Sequence, residues 1–413
     1  MSNIILTSEQ SELCDILYPW LKNWSLKSKP WYSYSGPPGS GKTTIIREIM
    51  EALDIQQNEV LCMAYVGNAV MNLSKAGMYA KTIHSAIYEL KIIPKEDEFG
   101  NVIKEKGKIK YEMKFVLKES LPPNIRLLVV DEAGMVNDEM IRDILSFEIP
   151  TIFIGDKNQL GPVFGRCSVM ENPDYTLTKI MRQAEGDPIV EFCQDILHNR
   201  PLAYGDYGLS KVLKSVDLGI NLLNDYDMII CGTNKTKEGF NTHIREKILG
   251  LHPKKPYRGD RIICRQNDWT REIDGFFLVN GMCGTIEDID WTESNGKKTV
   301  IDFKPAFLDD TFYNVPMDAK YLNMSPNDKK DYGFSAFNKF DYGYAITTHL
   351  SQGSQYSRVL FADEFFRDHD FMQRIRYTAI SRAIDSVHIL NNHPQNTPHY
   401  YMKWDGMADL SNK

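Results

Sequence analysis

Short apolar runs that end in small or polar residues recur along the chain and alternate with stretches of helical periodicity. The runs span residues 31–35, 59–65, 124–132, 149–156, 226–234, 342–349 and 386–390. Runs of this kind are typical of parallel strands that are buried on both faces. Their alternation with helical stretches, the first an amphipathic pattern over residues 8–22, predicts an α/β protein.

Two stretches depart from this alternation. Residues 88–118 are lysine-rich and alternating, which predicts a β-hairpin with its turn near residues 99–101. Its second arm carries four lysines at a spacing of two: Lys104, Lys106, Lys108 and Lys110. That spacing places all four on one face if the arm is a single strand. Residues 256–340 contain many short β-like runs separated by Gly, Asn and Asp, which predicts a small inserted all-β module.

Length and composition indicate an ordinary soluble protein. With about 150 residues per domain as a guide, 413 residues imply two or three domains. No run approaches the roughly 18 apolar residues of a membrane span, and the start lacks a secretory signal, so we expect a cytoplasmic protein without a membrane partner. The net charge of −7 argues against coating nucleic acid by bulk charge, although a local basic track remains compatible with it. The seven cysteines are scattered, which argues against a structural zinc site or a disulfide framework.

The strongest local motif is a glycine-rich phosphate loop between a predicted strand and a predicted helix. It consists of Gly36, Pro37, Pro38, Gly39, Ser40, Gly41, Lys42 and Thr43, followed by Thr44. This is the G-x-x-x-x-G-K-[ST] pattern in the context that it requires. Backbone N–H groups of such a loop surround phosphates, Lys42 reaches the β- and γ-phosphates, and Thr43 binds Mg²⁺. The motif therefore predicts a site for ATP and Mg²⁺.

Two further strand ends carry polar side chains to the same edge of the predicted sheet. Asp131 and Glu132 follow the buried run LLVV, where Asp131 is placed to hold Mg²⁺ and Glu132 to act as general base on the attacking water. Gln159 follows the next run, where it is placed to sense the γ-phosphate or the water. A helix-start charge pair and a polar turn are the plain alternatives for these two segments.

In motif content and order, the chain resembles a superfamily 1 DNA helicase of the RecD/Dda branch over nearly its whole length. The segments that carry the resemblance are residues 7–10 (TSEQ), the phosphate loop, 81–85 (KTIHS), 129–136 (VVDEAGMV), 154–162 (IGDKNQLGP), 177–183 (LTKIMRQ), 231–234 (CGTN), 345–355 (AITTHLSQGSQ) and 377–383 (YTAISRA). The pattern departs from the family at Leu350, where Lys is common, and at Gln355, where Glu is common. It also lacks the family's Pro-Thr after Ala64.

The resemblance implies both a fold and an ATP site. We expect two RecA-like motor domains, the first over residues 1–183 and the second over 184–255 with 341–413, the latter interrupted by an SH3-like β-barrel over 256–340. The hairpin at 88–118 would be a strand-separating pin, with a surface hairpin as the plain alternative. In the ATP site, the resemblance implies an adenine contact by Gln10, γ-phosphate contacts by Arg182 and by Arg382 as arginine finger, and coupling through Gly353.

The resemblance also implies a set of residues that bind DNA. They are Ala64, Tyr65, Asn68, Thr82, His84, Phe99, Thr233, Asn234, Thr348, His349 and Ser351. The expected partners are single-stranded and forked DNA, together with a single-stranded-DNA-binding protein or replication and recombination proteins. The expected activity is 5′ to 3′ translocation and unwinding by a monomer. Two alternatives stay open: a P-loop phosphotransferase, and an ATP-gated clamp that binds DNA without unwinding it.

Overall fold

The computed structural model describes residues 6–94, 101–105, 108–109, 111–180, 186–216, 219–252, 255–274, 276–290, 298–330, 332, 335 and 337–391. The chain divides into two compact units, which we call the first and second unit. The first unit comprises Met1–Tyr65, Ala69–Lys157 and Gly161–Arg182. The second comprises Val66–Asn68, Asn158–Leu160 and Gln183–Lys413. None of the described helices combines the length and apolar character that a bilayer crossing requires.

The first unit contains ten strands and six helices among its described residues, numbered here along the chain. The strands are β1 (Trp31–Ser35), β2 (Val60–Ala64), β3 (Ala80–Thr82), β4 (Tyr88–Pro94), β5 (Lys104–Glu105), β6 (Lys108–Ile109), β7 (Tyr111–Leu117), β8 (Leu127–Asp131), β9 (Thr151–Gly155) and β10 (Tyr175–Thr176). The helices are α1 (Ser8–Lys22), α2 (Lys42–Ala52), α3 (Gly67–Lys75), α4 (Ile83–Ile87), α5 (Asp138–Leu145) and α6 (Ser168–Glu171), where α3 begins with two residues that cluster with the second unit.

A six-stranded parallel sheet in the order β10-β1-β9-β8-β2-β3 forms the centre of the first unit. β2, β8 and β9 are almost wholly buried, as expected for parallel strands covered on both faces. The register pairs Ala64 with both Asp131 and Thr82, and Ser35 with Gly155. The carboxyl ends of β1, β2, β3, β8 and β9 therefore meet at one edge.

The hairpin between α4 and β8 differs from the prediction in its register. β4 pairs with β7 from Tyr88↔Leu117 to Pro94↔Tyr111, and a separate small hairpin pairs β5 with β6. Lys104 and Lys108 therefore stand on opposite strands, and the prediction of four lysines on one strand face is wrong. Lys106 and Lys110 lie outside the described residues.

The second unit continues the numbering. Its strands are β11 (Gly205–Tyr207), β12 (Ser210–Leu213), β13 (Met228–Cys231), β14 (Arg261–Cys264), β15 (Asp268–Ile273), β16 (Phe276–Leu278), β17 (Cys283–Asp290), β18 (Lys298–Pro305), β19 (Phe312–Asp318), β20 (Phe340–Tyr342), β21 (Ala345–Thr347), β22 (Tyr356–Ala362) and β23 (Ala383–Leu390). Its helices are α7 (Pro188–Leu197), α8 (Asn221–Asp225), α9 (Asn234–His243), α10 (Ala319–Leu322), α11 (Pro326–Lys330), α12 (Thr348–Ser351) and α13 (His369–Ile380), with a π-helical turn at Ile244–Ile248.

A second sheet, in the order β11-β12-β23-β22-β13-β21, is parallel except for its β11–β12 edge. A five-stranded antiparallel sheet, in the order β19-β18-β17-β14-β20, and the β15–β16 pair lie between α9 and β21 along the chain. We call residues 261–342 the β module. The module also contains α10 and α11, and the SH3-like barrel expected over residues 256–340 stays a prediction.

Two buried ionic clusters lie where the β module joins the rest of the second unit. Arg245, in the π-helical turn, bonds both oxygens of Asp260 at 2.9 and 3.0 Å and stacks on Tyr342. Asp341 accepts from Lys237 of α9 at 3.1 Å and from Lys329 at 2.6 Å. Both connections of the module are therefore held by buried charge pairs.

Candidate functional site

The phosphate loop follows β1, and two of its glycines lie against side chains that would have to move to admit a Cβ. A Cβ on Gly36 would lie 2.5 Å from Ser40 Oγ, and one on Gly41 would lie 2.3 Å from Gln10 Nε2. Gly41 also adopts a left-handed conformation with φ of 77°, which favours glycine. Gln10 lies against the loop because its Nε2 donates to Ser40 O at 2.9 Å, while its Oε1 accepts from Thr7 N at 2.9 Å.

The donors within this loop fit a bound polyphosphate. Ser40 Oγ is buried and has no hydrogen-bond partner among the described residues, a state that is costly unless a ligand supplies one. Lys42 Nζ donates to two neutral loop carbonyls, Gly36 O at 2.8 Å and Pro37 O at 3.1 Å. Thr43 lies in the first turn of α2, whose N-terminus adds a favourable dipole for anions. The remaining predicted residues, Pro38, Gly39 and Thr44, belong to the same loop and the first turn of α2.

Asp131 and Glu132 lie at the end of β8, next to this loop. Burial and the Glu132 charge raise the pKa of Asp131 to about 6, although Lys42 and the Glu132 amide lower it. The influence of Lys42 places its ammonium group near the Asp131 carboxyl group. Glu132 has φ of 48°, a left-handed conformation that costs of order 1–3 kcal/mol for a residue with a side chain. Strain of this kind persists where the surrounding structure imposes an orientation.

No three His, Cys, Asp or Glu side chains gather into a metal cluster within the described ranges. The donors present are Thr43 and Asp131, a hydroxyl and a carboxylate. Oxygen donors of this kind suit Mg²⁺, which usually takes few protein ligands and completes its shell with phosphate oxygens and water. The two predicted metal ligands are therefore compatible with Mg²⁺ bound together with a nucleotide.

The segment predicted to carry Arg182 is tied to the N-terminal helix. Glu9 accepts from the Thr178 amide at 2.8 Å and hydroxyl at 2.5 Å, and from the Lys179 amide at 3.1 Å. Although slight burial raises it, these bonds lower the pKa of Glu9 overall. Arg182 itself lies outside the described residues. Glu9 was not predicted as a site residue. The available signal in the sequence was its place directly before Gln10, the predicted adenine contact.

Three predicted ATP-site residues belong to the second unit. Gln159 is buried, and its carbonyl accepts from Arg374 Nη1 at 2.8 Å. Gly353 has a left-handed φ of 73°. Arg382 is 2% exposed, and it donates to three neutral oxygens, Thr378 O, Ser354 O and Ser381 Oγ, at 3.1–3.4 Å. A buried guanidinium with neutral partners keeps its full charge for an anion.

The predicted DNA-binding residues differ widely in their exposure. Tyr65 and Asn234 are exposed, and Thr233, His84 and His349 are partly exposed. Burial lowers the pKa of both histidines. The buried members are Ala64, Asn68, Thr82, Thr348 and Ser351, and Phe99 lies outside the described residues.

The buried members satisfy their polar groups internally. Thr348 Oγ1 donates to Cys231 O, and Ser351 Oγ donates to Thr348 O. The Asn68 amide donates to Gly281 O and Ser354 Oγ, and Thr82 caps α4. This structure therefore does not offer these side chains for direct contacts with DNA. These buried residues stabilise the local backbone. The motifs locate them in the sequence but do not show whether their side chains face DNA or the protein interior.

Thr233 has an unpredicted partner, Glu364. The carboxylate of Glu364 accepts from the amides of Gly232 and Thr233 at 2.5 and 2.9 Å. It also accepts from the hydroxyls of Thr233 and Thr236 at 2.8 and 2.6 Å. An anion thus already occupies the N-terminus of α9, where the resemblance implies contact with DNA. The sequence offered one signal for Glu364: it follows Asp363, which comes directly after the apolar end of β22, the run VLFA.

Two family models match the chain. The one described as AAA domain covers residues 24–215, and the one described as UvrD-like helicase C-terminal domain covers residues 342–390. The ATP-dependent RecD2 DNA helicase of Deinococcus radiodurans is 23% identical over 377 residues, which are 85% of this chain and 45% of that protein. The ATP-dependent DNA helicase dda of Enterobacteria phage T4 is 27% identical over 328 residues, which are 70% of this chain and 69% of that protein. The chain thus spans less than half of the first relative, and the predicted resemblance to the RecD/Dda branch is confirmed.

Solved structures of Pif1 helicases share the fold. Bacteroides Pif1 bound to single-stranded DNA aligns with a TM-score of 0.56 at 17% identity, covering 95% of this chain and 93% of that one. Pif1 helicase from Candida albicans aligns with a TM-score of 0.53 at 18% identity, covering 94% and 95%. At this identity the likeness concerns the fold alone, and it confirms the α/β class with RecA-like parallel sheets.

Proposed function

We propose that this chain is an ATP-driven DNA motor that hydrolyses ATP, translocates on single-stranded DNA and unwinds duplex DNA. The observation that carries the proposal is the phosphate loop, where the buried Ser40 hydroxyl lacks a partner beside Lys42 and the Asp131–Glu132 strand end. The helicase relatives and the UvrD-like match over residues 342–390 support a motor rather than a general nucleotide-binding protein.

The first unit supplies the groups that bind ATP and activate the attacking water. Lys42 and the loop amides hold the phosphates, and Gln10 supports the loop from the side of the base. Thr43 and Asp131 would hold Mg²⁺, which when bound neutralises charge on the phosphates. Glu132 accepts the proton of the attacking water, because it is fixed beside Asp131 at the strand end.

The remaining phosphate contacts come from Gln159, Arg182 and Arg382. A guanidinium stabilises the charge that develops on the transferred phosphoryl group, and it orients that group through its planar fork. Arg382 and Gln159 belong to the second unit and Lys42 to the first, so turnover would require the two units to cooperate. Gly353 supplies the turn between the DNA-facing segment and β22.

The DNA substrate is single-stranded or forked, and binding depends mainly on phosphates. Tyr65, His84, Asn234 and His349 keep exposed or partly exposed side chains for this role. By likeness to the RecD/Dda branch, the chain moves 5′ to 3′ and acts as a monomer in the cytoplasm. Single-strand-binding, replication or recombination proteins are its partners, and Phe99 at the hairpin is its strand-separating contact.

The test measures ATP turnover with and without single-stranded DNA, followed by unwinding of duplexes that carry a 5′ or a 3′ tail. We expect DNA to stimulate turnover at least about tenfold and the 5′-tailed duplex to be unwound. The variant Lys42→Ala serves as the control for contaminating ATPases.

Each alternative outcome is informative. Turnover that is indifferent to DNA would favour a P-loop phosphotransferase. DNA-stimulated turnover without strand displacement would favour an ATP-gated clamp. Unwinding of 3′-tailed duplexes alone would reverse the proposed polarity.

A further inference from the structure

Four aromatic rings form a continuous cluster at the root of the hairpin in the first unit. His84 lies at its centre, with ring centroids 5.8 Å from Tyr65, 5.8 Å from Tyr88 and 5.3 Å from Phe115. Tyr88 and Phe115 are themselves 6.3 Å apart. We call these residues the aromatic cluster.

The cluster is anchored on one side and open on the other. The Tyr88 hydroxyl donates to Asp143 at 2.5 Å, which fixes that ring against α5. Phe115 is 45% exposed and Tyr65 is 39% exposed. Large aromatic residues that serve only to pack a core bury far more of their surface. Two neighbouring exposed rings that share a partly buried imidazole therefore need another explanation.

The position of the cluster links it to the ATP site. Tyr65 directly follows Ala64, which pairs in register with Asp131, and His84 lies two residues after Thr82, the other register partner of Ala64. The aromatic rings thus occupy the same sheet edge as the Asp131–Glu132 strand end. A ligand on the rings would contact the strand next to the one that carries the general base.

Two lysines lie beside the cluster, and the carboxylates of Glu89 and of Asp143, the partner of Tyr88, lie close by as well. Lys118 Nζ donates to Ser85 O at 2.9 Å and Ala86 O at 2.7 Å, beside His84. Burial and the nearby charge of Lys81 lower the pKa of Lys118, although Glu89 raises it. Two lysines that repel each other next to exposed aromatic faces suit a ligand with anionic and aromatic parts. Single-stranded nucleic acid has both.

We propose that Phe115, together with Tyr65 and His84, forms a base-stacking platform for single-stranded DNA at the root of the hairpin. Phe115 supplies the face on which a base stacks, and Tyr88 fixes the orientation of the cluster through Asp143. The platform rests on the proposed function and assigns a base contact to Phe115, a residue for which no contact with DNA was predicted. Because stacking tolerates any base, the platform adds affinity without sequence preference.

The experiment compares two fluorescent oligonucleotides of equal length and backbone, one of dT and one abasic, in anisotropy titrations of the full chain at low salt. We expect the wild type to bind dT more tightly than the abasic strand. Phe115→Leu, which keeps an apolar side chain without a π face, should bind dT about 5-fold more weakly, at the lower end for one lost stack. It should bind the abasic strand as the wild type does, and Phe115→Trp should restore the preference for dT.

Tyr79→Ala is the matched control, because Tyr79 is 50% exposed but precedes β3 at the opposite edge of the sheet. It should bind both oligonucleotides as the wild type does. Equal losses on both strands in Phe115→Leu, or no loss on either, would overturn the platform. If the wild type binds neither oligonucleotide, the proposed DNA motor fails. If the wild type binds both oligonucleotides equally well, the proposed motor function still stands and only the platform is overturned.

Discussion

Glu132 combines a chemical role with an unusual backbone conformation. It follows the buried strand β8 in a left-handed conformation, and its carbonyl accepts from Met135 N at 3.1 Å as the next turn begins. A glycine would adopt this conformation at lower cost. Retention of a carboxylate at a strained position is consistent with selection for its chemistry rather than for stability.

The first prediction concerns this carboxylate. Glu132→Gln should keep ATP binding, because Lys42 and the loop are unchanged, and should lower turnover at least about 10²-fold through loss of the general base. Nucleotide affinity and steady-state turnover with saturating DNA measure the two effects. Near-normal DNA-stimulated turnover would remove Glu132 from the mechanism.

Glu364 is the second residue whose role can be isolated. If a DNA phosphate binds at Thr233, it must replace a carboxylate that accepts four hydrogen bonds there. Glu364→Ala should therefore bind single-stranded DNA more tightly at low salt. One additional phosphate contact should steepen the dependence of log affinity on log salt by about 0.7.

Titrations of single-stranded DNA at several salt concentrations provide the measurement. Asp370→Ala, which removes an exposed carboxylate from the first turn of α13, controls for the general loss of negative charge. An unchanged slope in Glu364→Ala, or weaker binding, would mean that Glu364 only supports the loop.

At the residue scale, the sequence predicted the chemistry of the site better than its exposure. The phosphate loop and Asp131 are recognisable because glycine spacing and a buried strand restrict their position. Thr348, Ser351 and Asn68 occupy predicted motif positions, yet their polar groups bond inside the protein. Glu364 lies 131 positions from Thr233, so no local pattern could pair them.

At the scale of elements, apolar runs predicted most strands of the two parallel sheets. The pattern missed β22, a central strand of the second sheet, although VLFA resembles the run before Asp131. Alternation also predicted a hairpin over 88–118 but not its register, because register also depends on the type and length of the turn. The amphipathic pattern over residues 8–22 corresponds to α1, in which Leu13 and Leu17 are buried and Ile16 is 37% exposed.

The third prediction concerns the connection between the β module and α9. Asp341→Asn should destabilise the second unit by about 3–5 kcal/mol, because it leaves buried lysines without their carboxylate. Asp227→Asn, which breaks an exposed pair with Arg358, should cost at most about 1 kcal/mol. Denaturant unfolding followed by a signal from the second unit measures the difference.

The pH dependence of the difference in unfolding free energy between wild type and Asp341→Asn tests whether charge pairing is its cause. Although burial opposes ionisation, Lys237, Lys329 and Arg265 lower the pKa of Asp341 to about 2. A lowered pKa contributes stability above the unfolded value near 4, and this contribution is lost as the pH falls toward 2. The gap between wild type and Asp341→Asn should therefore narrow below about pH 4. A constant gap would indicate a packing defect instead.

At the scale of the whole molecule, the predicted chemistry is divided between two compact units. Lys42, Asp131 and Glu132 belong to the first, whereas Gln159 and Arg382 belong to the second. The family resemblance placed Arg382 in the second domain, but it placed Gln159 within the first, residues 1–183, whereas Gln159 groups with the second unit. Sequence alone contains no distance between the units. Cooperation between them therefore has to be tested by function.

The fourth prediction tests that cooperation. Arg382→Ala should lower turnover at least about 10²-fold, since an arginine finger contributes mainly to the transition state. Its affinity for single-stranded DNA should stay within about twofold of the wild type. Arg382→Lys, which keeps the charge without the planar fork, should recover little activity. Loss of DNA affinity with unchanged basal turnover would contradict the assignment.

The pairing of β14 with β20 has a consequence for engineering. Ile262 lies directly opposite Tyr342, so the chain enters and leaves the β module on neighbouring strands, which are about 5 Å apart. A cut at these two positions would leave two ends that a short linker can join. The module is thus suited to exchange with that of a relative, provided that the incoming module keeps a carboxylate at the position of Asp341, because deletion would leave Lys237 buried without its partner. Chimeras made at this junction would transfer the module as a unit.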